Sequence, residues 1–468
     1  MVNPQAPRPQ REAIHFVGIG GIGMSAIARI LLARGESISG SDLQDSVLIA
    51  ALRSGGARVT IGHKASNVRG ARLVVVSSAI GEENVEYQAA AAAAIPILRR
   101  GQMLAKMMDG RRGIAVSGTH GKTTTTAMIA CILYHAAVDA SVVLGGESID
   151  TGTNARDGAD TWFLTEADES DGSFMHLAPH IAVVTNIEND HIVSDAQMPQ
   201  LVHAFSSFVA GVPEDGLSVV GMDSTGSASL LKAAPRRNVC SFGLHPAANW
   251  HAANVRFPAG GSEFELVANG GSLGTVRLHV PGKINVANAL AAIAVASKLQ
   301  ISFTDVTAAL EAFSGVRRRF EVLARTQRMI VVDDYAHHPT AIRETIAAAR
   351  SFHDGPLIVA FQPHRYTRTQ YLAKDFARSL EGADRVYLTP IYAAAESALH
   401  GVSERCIGEP AQAHGADVRY VQRVQDLPRR LLQEAPYGGL VLMLGAGDIS
   451  LIAAQLAGDV LRQAVTGV

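Results

Sequence analysis

The sequence predicts an α/β protein of three domains: a Rossmann-like N-terminal domain, a central P-loop-type ATPase domain with a parallel sheet plus a small antiparallel sheet, and a Rossmann-like C-terminal domain. Three observations predict it. Short apolar runs alternate with longer Ala/Leu-rich stretches along nearly the whole chain, the rhythm of βαβ units on doubly wound sheets. Strand-first units restart at Ala13, Gly113 and Met329. The 468 residues are three times an ordinary domain of ~150. The expected divisions are residues 1–112, 113–320 and 321–468.

Each element has a local reason. Ala13 to Val17 reads as a strand, glycines follow, and Met24 to Arg34 reads as a helix. Ser37 to Gly40 and Leu73 to Ser77 are the next strands. The helix Glu86 to Ala94 stops ahead of Pro96, because proline disfavours helix in the residue before it. In the second unit, strand Ile114 to Ser117 meets a glycine turn and a helix from Lys122, with strands at Thr161 to Leu164 and Ile181 to Thr185. Val255 to Val280 alternates and carries GG and NGG turns, predicting the antiparallel hairpins, and helix Ile284 to Leu299 closes the unit. The third unit has strands Met329 to Val332, Leu357 to Phe361, Arg385 to Thr389 and Leu440 to Leu444, with a helix near Thr340 to Arg350.

Composition narrows the function. Hydrophobic residues at 47% and charged residues at 18% exclude a disordered chain. A net charge of −2 provides no basic field for nucleic acid or an anionic membrane. Cys131, Cys240 and Cys406 lie far apart without CxxC spacing, which excludes a disulfide framework or zinc knuckle and fits a reducing cytosol. The Pro/Gln-rich start MVNPQAPRPQRE is expected to be a tail, not a signal peptide, and no apolar run approaches the ~20 residues of a membrane span. A cytoplasmic protein is expected.

Six motifs carry chemistry. Gly18-Ile-Gly20-Gly21-Ile-Gly23 follows a strand and opens a helix, so its amides can approach a pyrophosphate, and Asp42 about 20 residues on can accept a ribose hydroxyl. NAD, FAD and nucleotide sugars all satisfy this pattern. Gly118-Thr119-His120-Gly121-Lys122-Thr123-Thr124 repeats the context, with Lys122 for β/γ-phosphate charge and the Thr123 hydroxyl for Mg²⁺; Val116 stands where the usual P-loop has its first glycine. Loop amides are expected to hold this geometry even without the Lys122 ammonium. The acidic run Glu166-Ala-Asp168-Glu169-Ser-Asp171 makes sense beside phosphates only with a cation between, and Glu166 is the first carboxylate after its strand. Beyond Thr185, Asn186, Asp190 and His191 stand at a strand's C-terminal end, where His191 can complete a metal shell. Arg317-Arg318-Arg319 on a turn can present a guanidinium to a phosphoryl group, with Arg317 read as solvent-facing. Asp333-Asp334-Tyr335-Ala-His337-His338 and Gln362-Pro-His364-Arg365-Tyr366-Thr-Arg368 close the series, the arginines suited to carboxylate or phosphate.

With these motifs in order, the chain resembles the Mur ligases over residues 12–455. The carriers include HFVGIGGIGMS, GSD, VVSSAI, IPILRRGQML, SGTHGKTTTT, EADESDGSF, TNIENDH, RRF, DDYAHHPT, FQPHRYTRT and LGAGDI. The resemblance implies a UDP-substrate site at Gly20, Gly21, Gly23, Met24 and Asp42 in the first domain. It implies ATP at Gly118 to Thr124 in the second, with Asn285, Asn288, Arg319 and Asp334 around the nucleotide, and Mg²⁺ (or Mn²⁺) on Thr123, Glu166 and His191. Tyr335, His337, His364, Arg365 and Arg368 match groups that place the muramyl carboxylate and the amino acid in the third. Ile284 replaces a usual histidine, Asp195 departs from a DHMD pattern, and no lysine lies between Lys122 and Lys232 to serve as a carbamylated ligand.

The activity so implied is ATP-dependent joining of L-alanine to UDP-N-acetylmuramate, as monomer or homodimer. An acyl phosphate would form with Lys122, Arg319 and Mg²⁺ offsetting charge, and His337 is a candidate to take the amine's proton. Domains carrying the separate motifs are expected to close on the substrates. A ligase adding a preformed tripeptide is the near alternative, against which the EADESDGSF stretch speaks. A nicotinamide oxidoreductase or a nucleotide switch would leave several motifs without work.

Overall fold

The computed structural model describes residues 12–169, 172–188, 198–233, 238–258, 260–394 and 396–466. Three sheets follow one another along the chain. Strands β1 (Ala13–Val17), β2 (Ile38–Asp42), β3 (Arg58–Ile61), β4 (Ala71–Val76) and β5 (Ile97–Arg99) form a parallel sheet in the order β3-β2-β1-β4-β5. Its helices are α1 (Ile22–Ala33), α2 (Val47–Ser54), α3 (Val85–Ala92) and α4 (Arg100–Met108). The order reverses between β1 and β4, which makes this the topological switch point, and such sheets take ligands in the crevice outside the strand ends there.

The central unit contains β6 (Arg112–Ser117), α5 (Lys122–His135), β7 (Ser141–Ser148), β8 (Thr153–Arg156), β9 (Trp162–Glu166), β10 (Ile181–Val184) and α6 (Met198–Ala210). It continues through β11 (Leu217–Gly221), α7 (Thr225–Ala233), β12 (Val239–Gly243), β13 (Trp250–Arg256), β14 (Ser262–Ala268), β15 (Gly271–Leu278), α8 (Lys283–Lys298) and α9 (Phe303–Ala312). Strand β6 lies between β9 and β10, every residue from Gly113 to Ser117 buried. The registers set Val116 beside Glu166 and Ser117 beside Val184, which brings three strand ends to one edge.

Two features differ from the sequence expectation. The antiparallel strands are not a separate sheet: β13 pairs with β12 at Phe242–Trp250 and Gly243–His251, so the hairpins extend one ten-stranded sheet. Helix α8 does not close the unit, because α9 follows and packs on α5 and β15. The hairpin β7–β8 has no signature in the sequence, since Gly145, Gly146 and Thr151-Gly-Thr-Asn leave no alternation to detect.

The last sheet runs β16 (Glu321–Arg325), β17 (Met329–Asp334), β21 (Gly439–Leu444), β18 (Leu357–Phe361), β19 (Arg385–Leu388), β20 (Val418–Tyr420), parallel except at β16. It is covered by α10 (Pro339–Phe352), α11 (Tyr366–Ser379), α12 (Arg405–Ala413), α13 (Leu427–Glu434) and α14 (Ile449–Thr466). The strands β17, β18 and β21 are almost wholly buried, as continuous Val/Ile/Leu runs require when helices cover both faces. The first two sheets share an apolar cluster in which Phe16, Ile27 and Met107 join Phe163, Phe174 and Phe205. No helix among the described residues is long and apolar enough to cross a membrane.

Candidate active site

In the first crevice, the Gly20 amide donates to Asp42 Oδ2 at 2.8 Å, and Gly18 and Ile19 amides donate to the Ser41 carbonyl. Asp42 thus shapes the loop. Gly21 caps α1 without a side-chain bond, leaving the first-turn amides to an anion. Arg100, at the start of α4, lies over Gly23 and reaches across to Ser173 Oγ at 3.2 Å and Asp168 at 3.6 Å. Beside it, a cavity of about 360 Å³ is lined by Ser78, Ile80, Arg99, Arg100, Ser173 and His176. The sequence reading did not single out Arg100; its signal was the RRG at a strand-to-helix junction.

The second loop is organised by its lysine. Gly121 takes φ +83° to cap α5, and a Cβ there would collide with Asn288 Oδ1. Lys122 Nζ folds back to the Gly118 carbonyl at 2.6 Å, the Thr119 carbonyl at 3.2 Å and Glu169 Oε2 at 2.7 Å. The loop amides therefore do not hold this geometry alone; the ammonium is its hub. Burial would lower the ammonium, but Glu169, Asp168 and Glu166 outweigh that and keep it charged. Burial pushes the Glu169 carboxyl up to about 7 even against Lys122. Glu169 carried no assignment from sequence, lying inside an acidic run that reads equally well as surface.

Around the lysine, Thr123 Oγ1 donates to Glu166 Oε1 at 3.1 Å, while Glu166 Oε2 accepts from Gly145 N at 2.9 Å. Thr119 and His120 are tied to the strand end after β10: Asn186 accepts from His120 N at 2.9 Å and donates to its carbonyl at 3.0 Å. Thr124 is buried within α5. His191, with Asp190 and Asp195, lies outside the described residues. Among the described residues no cluster of three or more His, Cys, Asp or Glu could hold a metal ion. The oxygens of Thr123 and Glu166 nevertheless suit a hard cation completed by phosphate oxygens.

Asn288 lies beneath the loop, accepting from Thr125 Oγ1 at 3.1 Å and donating to Asn285 Oδ1 at 3.2 Å, with Asn285 in turn donating to the Pro281 carbonyl at 2.8 Å. The pair thus braces α8 against α5. The three arginines diverge. Arg317 pairs with Glu147 and Glu321, Arg318 reaches the Gly445 carbonyl at 2.8 Å, and Arg319 alone points to Thr123 Oγ1, at 3.5 Å. Asp334 accepts from the Phe320 and Ala336 amides, both at 2.7 Å, and so pins this turn to the end of β17. Burial pushes its carboxyl up, against the pull of Arg319.

Beyond Arg319 runs a series of rings: Arg319 and Arg318 over Tyr335 at 4.9 Å each, Tyr335 edge-on to His337, His337 to His364, and His364 stacked on Tyr392. His337 Nδ1 bonds the Tyr335 carbonyl at 2.9 Å, which sets the orientation of the ring. His364 is pushed down to about 4 by burial and by Arg368 and Arg365, so it is neutral near pH 7. Arg365 is exposed at the start of α11. Across the gap, His338 faces His120 with ring centroids 5.6 Å apart. The glycine loop, its acidic partners and the C-terminal ring series therefore form one site.

Comparison with known families decides the membership. Residues 13–112 match the model of the Mur ligase family catalytic domain, 116–296 the Mur ligase middle domain, and 318–447 the Mur ligase glutamate ligase domain. The chain belongs to the Mur ligase family. A Mur ligase relative from Acidithiobacillus ferrooxidans, a UDP-N-acetylmuramate–L-alanine ligase, is 46% identical over 94% of this chain and 96% of its own. The crystal structure of a UDP-N-acetylmuramate–alanine ligase from Thermotoga maritima superimposes with a TM-score of 0.83 at 29% identity, covering 96% of this chain and 99% of that one. A murein peptide ligase from Psychrobacter arcticus gives 0.70 at 25% identity over 95% and 98%.

Proposed function

We propose that this Mur ligase joins L-alanine to the lactyl carboxylate of UDP-N-acetylmuramate, with ATP converted to ADP and phosphate, as a step of peptidoglycan precursor synthesis. The observation that carries the reading is the meeting of Lys122, the Thr123–Glu166 pair and Arg319 at one point, between an anion-ready loop in the first sheet and the His/Arg/Tyr cluster of the third. In this reading residues 1–112 bind the UDP substrate, 113–320 bind ATP, and 321–468 bind the amino acid.

A carboxylate is a poor electrophile, so the chemistry must first give it a leaving group, and transfer of the γ-phosphoryl makes an acyl phosphate. Lys122 and Arg319 offset charge on the transferring group from two sides. A divalent cation, Mg²⁺ or Mn²⁺, would be held by Thr123, Glu166 and, from sequence, His191, and would neutralise phosphate charge when bound. Gly20, Gly21, Gly23, Met24 and Asp42 hold the sugar nucleotide, with Arg100 and its cavity beside them. Gly118 to Thr124, Asn285, Asn288 and Asp334 frame ATP. Tyr335, His337, His364, Arg365 and Arg368 place the carboxylate and alanine, and His337 takes the amine's proton so that the lone pair can attack. Both nucleotide substrates are cytoplasmic metabolites, which supports a cytoplasmic location, and the net charge of −2 supports neither a nucleic-acid nor a membrane partner.

The testing experiment is phosphate release from ATP with UDP-N-acetylmuramate present, offered L-alanine, a tripeptide or no amine. Release only with L-alanine is expected; equal or greater release with the tripeptide would move the chain to the recycling branch.

A further inference from the structure

Asn154 of β8 is 1% exposed, yet it belongs to the central unit and spends its side chain on the first. Its Nδ2 donates to the Ile22 carbonyl at 2.7 Å and to Ser25 Oγ at 3.1 Å. Its Oδ1 is buried and accepts no hydrogen bond among the described residues. Reversing the carboxamide would set oxygen against the Ile22 oxygen, so its orientation is fixed. A buried acceptor left unused costs free energy that an apolar residue of the same shape would avoid, so stability alone does not account for asparagine here.

The Ile22 carbonyl has a particular meaning. It shares one planar peptide unit with the Gly23 amide, so holding the oxygen from behind aims the N–H forward. Gly23 is in the first turn of α1, where amides have no intrahelical acceptor and Gly21 supplies no side-chain cap. The hairpin carrying Asn154 also reaches residues that surround the other nucleotide loop. Gly145 N holds Glu166 Oε2, Glu147 pairs with Arg317, and Ile149 N bonds the Gly315 carbonyl at the base of the arginine turn. Arg29 of α1 adds a bond to Thr153 Oγ1 at 2.8 Å.

We propose that Asn154 is a positioning residue for the diphosphate of the sugar nucleotide, fixing the Gly23 amide from the neighbouring domain, and that hairpin β7–β8 makes sugar-nucleotide and ATP binding cooperative. This rests on the reading of the Gly20–Gly23 loop as the sugar-nucleotide site. Nucleotide bound at Lys122 and Glu166 steadies the hairpin's Gly145 end, and the steadied hairpin presents Asn154 to α1. By linkage the sugar nucleotide must favour ATP by the same factor.

Calorimetry on the full chain tests it, with UDP-N-acetylmuramate titrated alone and with a non-hydrolysable ATP analogue and Mg²⁺. The wild-type protein is expected to bind the sugar nucleotide about fivefold or more tightly with the analogue present. Asn154→Leu and Asn154→Ala are expected to weaken the sugar nucleotide by about tenfold and bring that ratio close to one, with the analogue's own affinity unchanged. A wild-type ratio of one overturns the proposal without any variant. So does a variant that keeps the wild-type ratio, or one that weakens both ligands in step with a fall in melting temperature. A wild-type protein that binds no UDP-N-acetylmuramate refutes the substrate reading itself, and the proposal with it.

Discussion

Lys122→Ala tests how the ATP loop is held. The ammonium donates to two carbonyls and to Glu169, whose side chain is 3% exposed. Removing it leaves those carbonyls short of a donor, at a cost of about 1–3 kcal/mol. The carboxylate adds a pH-dependent part. With Lys122 present, burial already sets Glu169 at about 7 against an ordinary 4.5; without it, the opposing charge is gone and the folded value rises further. A folded carboxyl raised above its unfolded value loses stability as pH climbs from the unfolded to the folded value. In the wild type this loss is complete near pH 7, whereas in the variant it continues beyond, by roughly 1.4 kcal/mol for each further unit of rise. Urea unfolding at pH 6 and pH 9 should show the variant's deficit growing with pH, and Lys122→Ala/Glu169→Gln should lack that growth. Both proteins should be inactive as ligases. A deficit identical at the two pH values, or ligation near the wild-type rate, would refute the reasoning.

Asp42→Ala should weaken the sugar nucleotide by about tenfold, because it removes the 2.8 Å anchor of Gly20 together with the carboxylate proposed to accept a ribose hydroxyl, while leaving ATP affinity nearly unchanged by calorimetry. Glu166→Gln should raise the Mg²⁺ concentration for half-maximal rate, with partial recovery at high metal; an unshifted Mg²⁺ curve would make Glu166 a proton carrier instead. Arg319→Ala should lower kcat by about a hundredfold or more, whereas Arg317→Ala, whose partners are Glu147 and Glu321, should stay within a few-fold in the same steady-state assay.

Much of this protein was legible in one dimension because local rules and tertiary structure agree. Strand β6 is a buried apolar run, so Gly118 to Thr123 had to emerge at a sheet's edge, and the glycines at 18, 20, 21 and 23 announced a loop that backbone must approach closely. Alternation and glycine pairs within 255–280 gave away β14 and β15, though not the start of β13 at Trp250 nor the union with the parallel sheet, which depends on two register pairs between β12 and β13. Hairpin β7–β8 stayed hidden, since its glycines are there to let Glu166 and Val316 approach, a requirement set by neighbours distant in sequence.

Within the site, residue type and strand-end position sufficed to nominate Lys122, Glu166, Asp334 and the histidines. Which groups each nominee meets depends on partners that sequence cannot place. Three adjacent arginines look alike in a string, yet the turn's backbone sends Arg317 to Glu147, Arg318 to Gly445 and only Arg319 to Thr123. Asp334, expected beside the nucleotide, is seen in the fold to fasten the Phe320 and Ala336 amides. Glu169 has no role legible in the sequence and is a buried counter-ion, because α/β folding packs the acidic run against the lysine loop. Local sequence determines which groups can donate, accept or carry charge; burial and the direction of each side chain, which decide what those groups meet, are properties of the assembled sheets alone.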